Sequence, residues 1–428
     1  MKKQLFEQLQ EELYYEKMDN GLSVYILPKK GFNKTYATFT TKYGSIDNHF
    51  KEPDAQEYSR VPDGIAHFLE HKLFEKEDGD VFQQFSKQGA AANAFTSFTR
   101  TAYLFSSTTD VERNLETLID FVQEPYFSDK SVEKEKGIIG QEITMYDDNA
   151  DWRLYFGIIE NLYHNHPVKI DIAGTVESIS GITKELLYQC YNAFYHPSNM
   201  LLFITGPLDP EAIMQQVRDN QSKKNFDNRG EIKRKFEEEP AQVATKKRSI
   251  HMHVQTPKCV VGLKANNPTL QGVELLKQEL CINLFLDMTF GKSSEYYEKL
   301  YSEGSIDNSF FYDYTQEYGF GFGMVGSDTA EPDRLEEELK NILLEARNGK
   351  IVTEEKLESV RRKKIGAFLR SLNSPESIAN QFTRYAFNNM ELFDVVNALE
   401  TITFNDVQKA VKELIDEERM SVFQILPS

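Results

Sequence analysis

The pattern of apolar and polar residues along the chain predicts a protein that mixes α-helices with short β-strands. Apolar residues alternate with polar ones in the predicted strands and recur every three or four residues in the predicted helices. In the first half, the predicted strands cover residues 22–27, 36–43, 90–98, 102–108 and 199–205. The predicted helices there cover residues 1–18, 63–74, 80–88, 110–123, 129–149 and 183–195.

The second half repeats this organisation, which indicates two halves built on the same plan. Its predicted strands cover residues 259–264, 318–326 and 421–426, and its predicted helices cover residues 272–289, 332–348, 353–371, 375–390 and 404–416.

Between the halves, residues 218–248 are dominated by charged and amide side chains, which is typical of an exposed linker. We therefore predict an α+β fold with an N-terminal domain over residues 1–217, this charged linker, and a C-terminal domain over residues 249–428. Each domain is expected to pack helices against a mainly antiparallel sheet. The C-terminal domain is expected to be structural and to face the substrate or a partner.

Charge and composition exclude several classes of protein. The chain of 428 residues carries 67 Asp and Glu against 49 Lys and Arg, a net charge of −18. Nucleic-acid and anionic-membrane partners are not expected, because phosphates repel such a surface. No apolar run approaches the roughly eighteen residues that suggest a membrane-spanning helix.

Cysteine usage and the N-terminal residues favour a reducing compartment. Cys190, Cys259 and Cys281 are far apart in the sequence and form neither a disulfide framework nor a metal-binding pair. Lys2 and Lys3 are not followed by an apolar run, so no secretory signal is expected. We favour the bacterial cytoplasm over the mitochondrial matrix.

One segment, residues 64–74, combines ionisable side chains with an otherwise apolar helix. His67 and His71 lie four residues apart, so a helix places both imidazoles on one face, and Glu70 projects into the same space. Burying these groups is costly unless each has a partner, which a zinc ion would supply for the imidazoles. The sequence therefore predicts an H-x-x-E-H metal site; two solvated surface histidines are the alternative.

A third ligand is expected from the helix predicted over residues 129–149. Glu135 and Glu142 are seven residues apart there, so they share a helix face. Glu142 is the candidate third ligand, which leaves the fourth position to a water whose pKa zinc lowers. Glu70 is then the candidate general base and the later proton donor to the leaving amine. Glu135, also a catalytic candidate, would orient a ligand from outside the coordination shell, or would be a solvent-facing charge.

These residues carry a resemblance to the pitrilysin-like, or inverzincin, zinc metallopeptidases. The family includes the zinc-bearing subunit of the mitochondrial processing peptidase and short bacterial relatives. His67, Glu70 and His71 match its motif, and Glu142 and Glu135 match its two acidic positions further along. Further segments that are similar to family landmarks lie at residues 43–47, 172–177 and 195–200. The resemblance implies one zinc ion per chain and two homologous α+β halves that form half of a clam-shell chamber.

The same resemblance places a substrate-binding edge strand at residues 89–96. The main chain of such a strand can pair with an extended peptide, which fixes the peptide's register without demanding one particular side chain. The candidate substrate-binding residues are Ala92, Asn93, Ala94 and Thr96. The alternative is an interior strand in which Asn93 caps a turn.

The second half departs from the family in the residues that stabilise the oxyanion. Self-sufficient members carry an Arg and a Tyr, whereas this chain has Tyr301 at the Arg position and Asp307 or Asn308 at the Tyr position. Losing such donors costs roughly a hundred- to a thousand-fold in rate. We therefore expect a heterodimer in which a zinc-free homologue supplies the Arg and the Tyr.

The alternative assembly is a homodimer in which Tyr312, Tyr314 or Lys299 substitutes for the missing groups. For function, we expect a zinc endopeptidase subunit that cleaves extended peptides in a closed chamber. A non-catalytic peptide-binding or assembly subunit of the same family is the alternative. A zinc hydrolase of non-peptide amides would use the same metal chemistry, but small substrates do not need an edge strand.

Two other patterns are interpreted as structural. Residues 321–326 match G-x-G-x-x-G, but no helix follows directly, so a closely packed strand is predicted instead of a nucleotide site. The histidine pairs at 164 and 166 and at 251 and 253 have no carboxylate or Cys at ligand spacing and are interpreted as ordinary surface or core residues.

Overall fold

Helices and strands alternate along the chain in the computed structural model, which describes residues 1–53, 55–77, 79–227, 229–351 and 353–428. The strands are β1 (Lys2–Phe6), β2 (Glu11–Lys17), β3 (Ser23–Pro28), β4 (Thr35–Thr41), β5 (His49–Lys51), β6 (Ser59–Arg60), β7 (Glu75–Lys76), β8 (Gly79–Asp80), β9 (Ala90–Thr96), β10 (Thr101–Ser107), β11 (Met200–Gly206), β12 (Lys233–Arg234), β13 (Lys247–Met252), β14 (Lys258–Lys264), β15 (Phe311–Glu317), β16 (Phe320–Asp328) and β17 (Met420–Pro427).

The α-helices are α1 (Ile65–Leu73), α2 (Val81–Lys87), α3 (Val111–Gln123), α4 (Asp129–Asp147), α5 (Ala150–Leu162), α6 (Val176–Ser180), α7 (Lys184–Phe194), α8 (Pro210–Ser222), α9 (Gly272–Phe290), α10 (Glu295–Ser302), α11 (Pro332–Arg347), α12 (Glu354–Ser371), α13 (Pro375–Phe387), α14 (Val395–Thr401) and α15 (Phe404–Leu414). Short 3₁₀ turns cover Pro167–Lys169, Pro197–Asn199, Leu392–Asp394 and Glu417–Arg419.

The chain forms two compact units, each built from three separate stretches of the sequence. The first unit contains Met1–Ile143, Ile170–Phe236 and Leu372–Phe387; the second contains Thr144–Lys169, Glu237–Ser371 and Asn388–Ser428. Each unit combines a mostly antiparallel sheet with helices, which confirms the predicted α+β class. These units differ from the predicted domains, which were continuous in sequence. Residues 144–169 fall within the predicted N-terminal domain but belong to the second unit, and residues 372–387 fall within the predicted C-terminal domain but belong to the first.

The segment expected to be an exposed linker is largely part of the first unit. Its first residues continue α8, where Arg218 pairs with Glu16 at 2.5 Å. Further along, Arg234 pairs with the buried Asp47 at 2.6 Å, and its guanidinium lies over the ring of Phe194. The charge-rich composition therefore reflects specific ion pairs as well as solvation, which composition alone does not distinguish.

The first unit is built around a seven-stranded sheet in the order β1-β2-β3-β11-β4-β10-β9. All described pairings are antiparallel except that between β11 and β3, which is parallel. Every residue of β4 and β11 is buried, so the two form the centre of the core. β9 lies at one edge and pairs only with β10 among the described strands.

The helix predicted over residues 1–18 is wrong; the segment forms the β1–β2 hairpin. β2 pairs with β3 from Tyr14 opposite Ile26 to Lys17 opposite Ser23, and Tyr15 stacks on Tyr25 at 4.6 Å. The leucine spacing fits a helix locally, but pairing with an existing strand satisfies the backbone and buries Leu13.

The second unit has a five-stranded sheet in the order β13-β17-β14-β16-β15. Residues 321–326 lie within β16, which confirms the strand interpretation of the G-x-G-x-x-G match. In this unit the sequence pattern missed α5, α10, α14 and β15. α5 lies close against the sheet: a Cβ added at Gly157 would be 2.4 Å from the ring of Phe423.

In the first unit, two glycines bring a loop against the start of α1. Gly64 precedes the helix with a φ of 87°, and a Cβ there would lie 2.3 Å from the carbonyl oxygen of Ala173. Gly174, with a φ of 73°, approaches the Asp63 carbonyl in the same way, and Ser178 Oγ donates to that carbonyl at 2.8 Å. This contact fixes where α1 begins, and it gives the segment at 172–177 a structural role beside the start of that helix.

Replacing Gly64 with alanine should destabilise the protein. The substitution Gly64→Ala adds a left-handed backbone strain and a backbone clash, so we expect a loss on the order of 1–3 kcal/mol in the free energy of unfolding. Urea unfolding followed by circular dichroism measures it. Gly137→Ala is the control, because Gly137 is exposed within α4 with no atom within 4 Å of the added Cβ. The close-approach interpretation is wrong if both variants unfold at the same urea concentration.

Candidate metal centre

α1 presents three of the predicted site residues together. His67 and Glu70 are buried, and the His67 and His71 rings have centroids 4.6 Å apart, as a four-residue helical spacing requires. The remaining face of the helix is held by core residues, among them Phe68 and Leu69, which are fully buried. Hydrophobic packing thus holds the backbone that carries the ionisable groups.

α4 brings the two predicted glutamates to the same place. Ile139 is fully buried between them, and Glu135 and Glu142 each lie about one helical turn from it on that face. Glu142 is partly exposed, whereas Glu135 is buried. The alternative that Glu135 is a solvent-facing charge is therefore excluded.

His67, His71 and Glu142 form a cluster that fits a metal ion. Their ligand atoms all lie within 4.8 Å of one another, the one such group of three among the residues that the structure describes. His67 Nε2 is 3.8 Å from one Glu142 oxygen, and His71 Nε2 is 3.7 Å from the other. These separations exceed a hydrogen bond but approach the roughly 3.4 Å between two ligands of a tetrahedral zinc. The donor set, two imidazoles and one carboxylate, is that of a catalytic zinc with an open position.

A hydrogen bond orients one of these imidazoles. His71 Nδ1 lies 3.1 Å from Glu135 Oε1, so the Nδ1–H donates to the carboxylate and Nε2 turns toward Glu142. Burial opposes the charged form, but this bond and nearby carboxylates raise the pKa of His71. Burial also works against Glu135, yet His71 and Lys72 hold the pKa of Glu135 below its usual value.

The other imidazole is held neutral. Burial, together with the neighbouring His71, lowers the pKa of His67 to about 4. A neutral imidazole is the form that binds a metal, because its Nε2 lone pair is then available.

Glu70 lies beside the cluster without belonging to it. It is 8% exposed, and Thr96 Oγ1 donates to its Oε2 at 2.6 Å. Burial raises the pKa of Glu70, and the Thr96 hydrogen bond opposes that rise. One carboxylate oxygen of Glu70 is thus fixed by the Thr96 hydroxyl.

The predicted substrate strand is β9, and the structure places it at the sheet edge, not in the interior. Ala92 and Ala94 are partly exposed, and Asn93 is exposed and accepts a bond from the Ala94 N–H at 2.9 Å. Thr96 lies on the same strand, but its side chain contacts Glu70. The sequence did not predict that contact, because pairing between distant segments leaves no local pattern.

Sequence analysis also missed Lys72, which immediately follows His71. Its side chain is 0% exposed, and it ion-pairs with Glu75 and with Glu135. The available signal was a charged residue within the apolar helix at 64–74, next to a predicted ligand.

The residues proposed to replace the missing Arg and Tyr lie in the second unit. Tyr314 is buried and donates to Gln316 at 2.6 Å, and Tyr312 donates to Asp287 at 2.7 Å. Tyr301 is 47% exposed. The hydroxyls of Tyr312 and Tyr314 are therefore already committed within that unit.

Fold and site together define a zinc-peptidase-like protein of two α+β halves, and comparisons with known proteins agree. The family model described as insulinase, peptidase family M16, matches residues 56–176, and the model described as the peptidase M16 inactive domain matches residues 181–364. The uncharacterized zinc protease YmfH of Bacillus subtilis is 67% identical over 422 residues, which span 99% of this chain and 98% of that protein.

Solved structures show the same fold. An M16-like peptidase from Alicyclobacillus acidocaldarius is 40% identical with a TM-score of 0.94, over 98% of this chain and 99% of that one. A protease from Helicobacter pylori, 18% identical, has a TM-score of 0.83 over 97% of this chain and 100% of its own. The chain belongs to peptidase family M16, which confirms the resemblance.

No helix among the described residues combines the length and the apolar character that crossing a membrane requires.

Removing the Glu142 carboxylate should weaken metal binding. For Glu142→Gln we expect at least a ten-fold loss of zinc affinity, because the neutral amide is a poorer ligand between the two imidazoles. Competition against a chromogenic chelator measures it. The control is Glu133→Gln on the same helix, since Glu133 is exposed and pairs with Lys136. Equal affinities for both variants would remove Glu142 from the ligand set.

Proposed function

We propose that this chain is a zinc-dependent endopeptidase subunit that cleaves extended peptides. The observation that carries the proposal is the His67, His71 and Glu142 cluster with Glu70 buried beside it. Zinc is the ion proposed, on the support of the donor set and of relatives named zinc proteases.

The residues take complementary roles in the proposed reaction. A zinc ion bound by His67, His71 and Glu142 would supply Lewis acidity and make water acidic near neutral pH. Glu70 accepts a proton from the attacking water through Oε1, while Thr96 holds Oε2. Glu70 then gives that proton to the leaving amine as the peptide C–N bond breaks. Glu135 keeps His71 in the tautomer whose Nε2 is free to bind.

The proposed substrate is an extended peptide that pairs with the free edge of β9. An edge strand offers main-chain groups to a further strand, and the small side chains of Ala92 and Ala94 leave room for a second backbone to approach. Thr96 connects this strand to Glu70, so a peptide that pairs there would pass close to the base.

We propose in addition that a zinc-free homologous subunit supplies the missing oxyanion groups and closes the chamber. In support, Tyr301 stands where the family has Arg, and Asp307 or Asn308 stands where it has Tyr. Burial raises the pKa of Asp307, but hydrogen bonds from Ser309 outweigh it and hold that pKa low. An anionic carboxylate would repel a developing oxyanion. A non-catalytic peptide-binding subunit is the second candidate, and the match of residues 181–364 to an inactive-domain model favours it to that extent.

We propose the bacterial cytoplasm as the compartment. The cysteines among the described residues are buried thiols, and the similar proteins named above are bacterial.

Glu70→Gln should abolish peptide cleavage and leave zinc binding within about two-fold of the wild type. The amide keeps the shape but accepts no proton, so we expect a loss of roughly a hundred-fold or more. A quenched fluorescent peptide library measures cleavage, and chelator competition measures zinc binding. Cleavage that persists in the zinc-loaded variant would show that Glu70 is not the general base.

The purified chain should cleave that library only when a zinc-free homologue from the same organism is added. The partner would restore the oxyanion donors that are worth roughly a hundred- to a thousand-fold in rate. Full activity of the chain alone, as a homodimer, would contradict the partner proposal. Zinc binding with no cleavage in either arm would favour the peptide-binding subunit.

A further inference from the structure

A fully buried lysine adjoins the candidate metal centre. Lys72 is 0% exposed on α1, directly after His71. Lysine is almost never fully buried unless it is paired, because moving an ammonium out of water costs several kcal/mol. Its ammonium group therefore requires negatively charged partners close by.

The partners of Lys72 are two glutamates with different surroundings. One is Glu75, whose side chain is 37% exposed and which lies one turn along the chain. The other is Glu135, whose Oε2 is 3.5 Å from Lys72 Nζ and whose side chain is 10% exposed. The pair with Glu75 reaches solvent, whereas the pair with Glu135 faces the candidate metal centre.

Glu135 thus has both oxygens engaged. Oε1 accepts from His71 Nδ1 at 3.1 Å, and Oε2 faces Lys72. A carboxylate bound at one oxygen can still rotate about its last torsion, but one bound at both is fixed. Fixing Glu135 in turn fixes the ring of His71, whose Nε2 points at Glu142.

The charges of the site also balance with Lys72 included. Glu70, Glu135 and Glu142 contribute three carboxylates close to one another. A divalent cation bound there would offset two of these charges, and Lys72 would offset the third; the fourth carboxylate nearby, Glu75, is partly exposed, so water screens its charge. Without Lys72, a buried carboxylate would be left without a countercharge.

We propose that Lys72 is a positioning residue for the metal centre: it anchors the Glu135 carboxylate, which then orients His71 toward the ion. The inference rests on the proposed function only in so far as the site binds zinc, and it does not require the chain to cleave peptides.

The test is a double-mutant cycle in zinc affinity, measured by chelator competition on the full chain. Lys72→Met keeps the length of the side chain and removes its charge, and Glu135→Gln removes the carboxylate through which it acts. Each single variant should bind zinc roughly ten- to a hundred-fold more weakly. The double variant should bind no more weakly than Glu135→Gln alone, because the two residues act in series. Glu75→Gln is the matched control, since it removes the other partner of Lys72, and it should stay within about two-fold of the wild type.

Three outcomes would overturn the proposal. Wild-type affinity in Lys72→Met would show that Glu135 needs no anchor. Losses that multiply in the double variant would show that Lys72 acts independently of Glu135. Tighter zinc binding would show that Lys72 acts only by repelling the ion. The thermal midpoint of each metal-free variant controls for folding; if Lys72→Met unfolds early, Lys72→Gln takes its place in the same cycle.

The same measurements separate this inference from the proposed function. A wild-type chain that binds zinc but cleaves no peptide with or without a partner would contradict the peptidase proposal and leave the cycle valid. A chain that cleaves peptides but shows no coupling between Lys72 and Glu135 would contradict the inference alone.

Discussion

The hydrogen bond between His71 and Glu135 is the interaction on which the candidate site depends. It joins α1, which carries the H-x-x-E-H residues, to α4, which carries Glu142. The bond selects the tautomer of His71 and fixes which face of α4 lies toward α1. Glu142 therefore lies close to the Nε2 atoms of both histidines. Neither helix contains all the ligands, so the site exists only when the two are correctly paired.

Backbone geometry limits where that pairing can occur. α1 has to begin directly after Gly64, because only a residue without Cβ fits against the Ala173 carbonyl at that φ. From this start, one turn of helix sets His67 and two turns set Glu70 and His71. Burial of Phe68 and Leu69 and of Ile139 on α4 then stabilises the arrangement with apolar contacts, which do not compete with the polar groups for hydrogen bonds.

Sequence alone predicted the parts of the site that follow a helical period. The two histidines, His67 and His71, are about one helical turn apart, and the two glutamates, Glu135 and Glu142, are about two turns apart. Each pair lies on one face of its helix, as expected. The partners of Thr96 and Lys72 were not predicted, because those contacts join separate elements or follow from burial. The roles of these residues in metal binding and catalysis stay predictions.

The larger errors have the same origin. Residues 1–18 have a helix-like leucine spacing, but β2 within them pairs with β3. In the segment predicted to be a linker, Arg234 forms a specific ion pair with Asp47. The exchange of segments 144–169 and 372–387 between the units depends on which core buries each helix. For example, Phe382 on α13 packs against Phe203 in the first unit at 4.6 Å. Local periodicity identifies a helix but does not say which sheet will cover it.

Thr96 links the strand proposed to bind the substrate with the residue proposed to act as general base. Its backbone belongs to the edge strand, and its hydroxyl holds the carboxylate of Glu70. A peptide that pairs with β9 would therefore take its register from the strand that also positions Glu70, the proposed general base. Because successive residues of a strand point to opposite faces, a shift of one residue would change which side chains face α1, and a shift of two would move the scissile bond by almost 7 Å. Pairing through the main chain would thus tolerate many sequences while placing one peptide bond beside Glu70, which is what an endopeptidase of broad specificity requires.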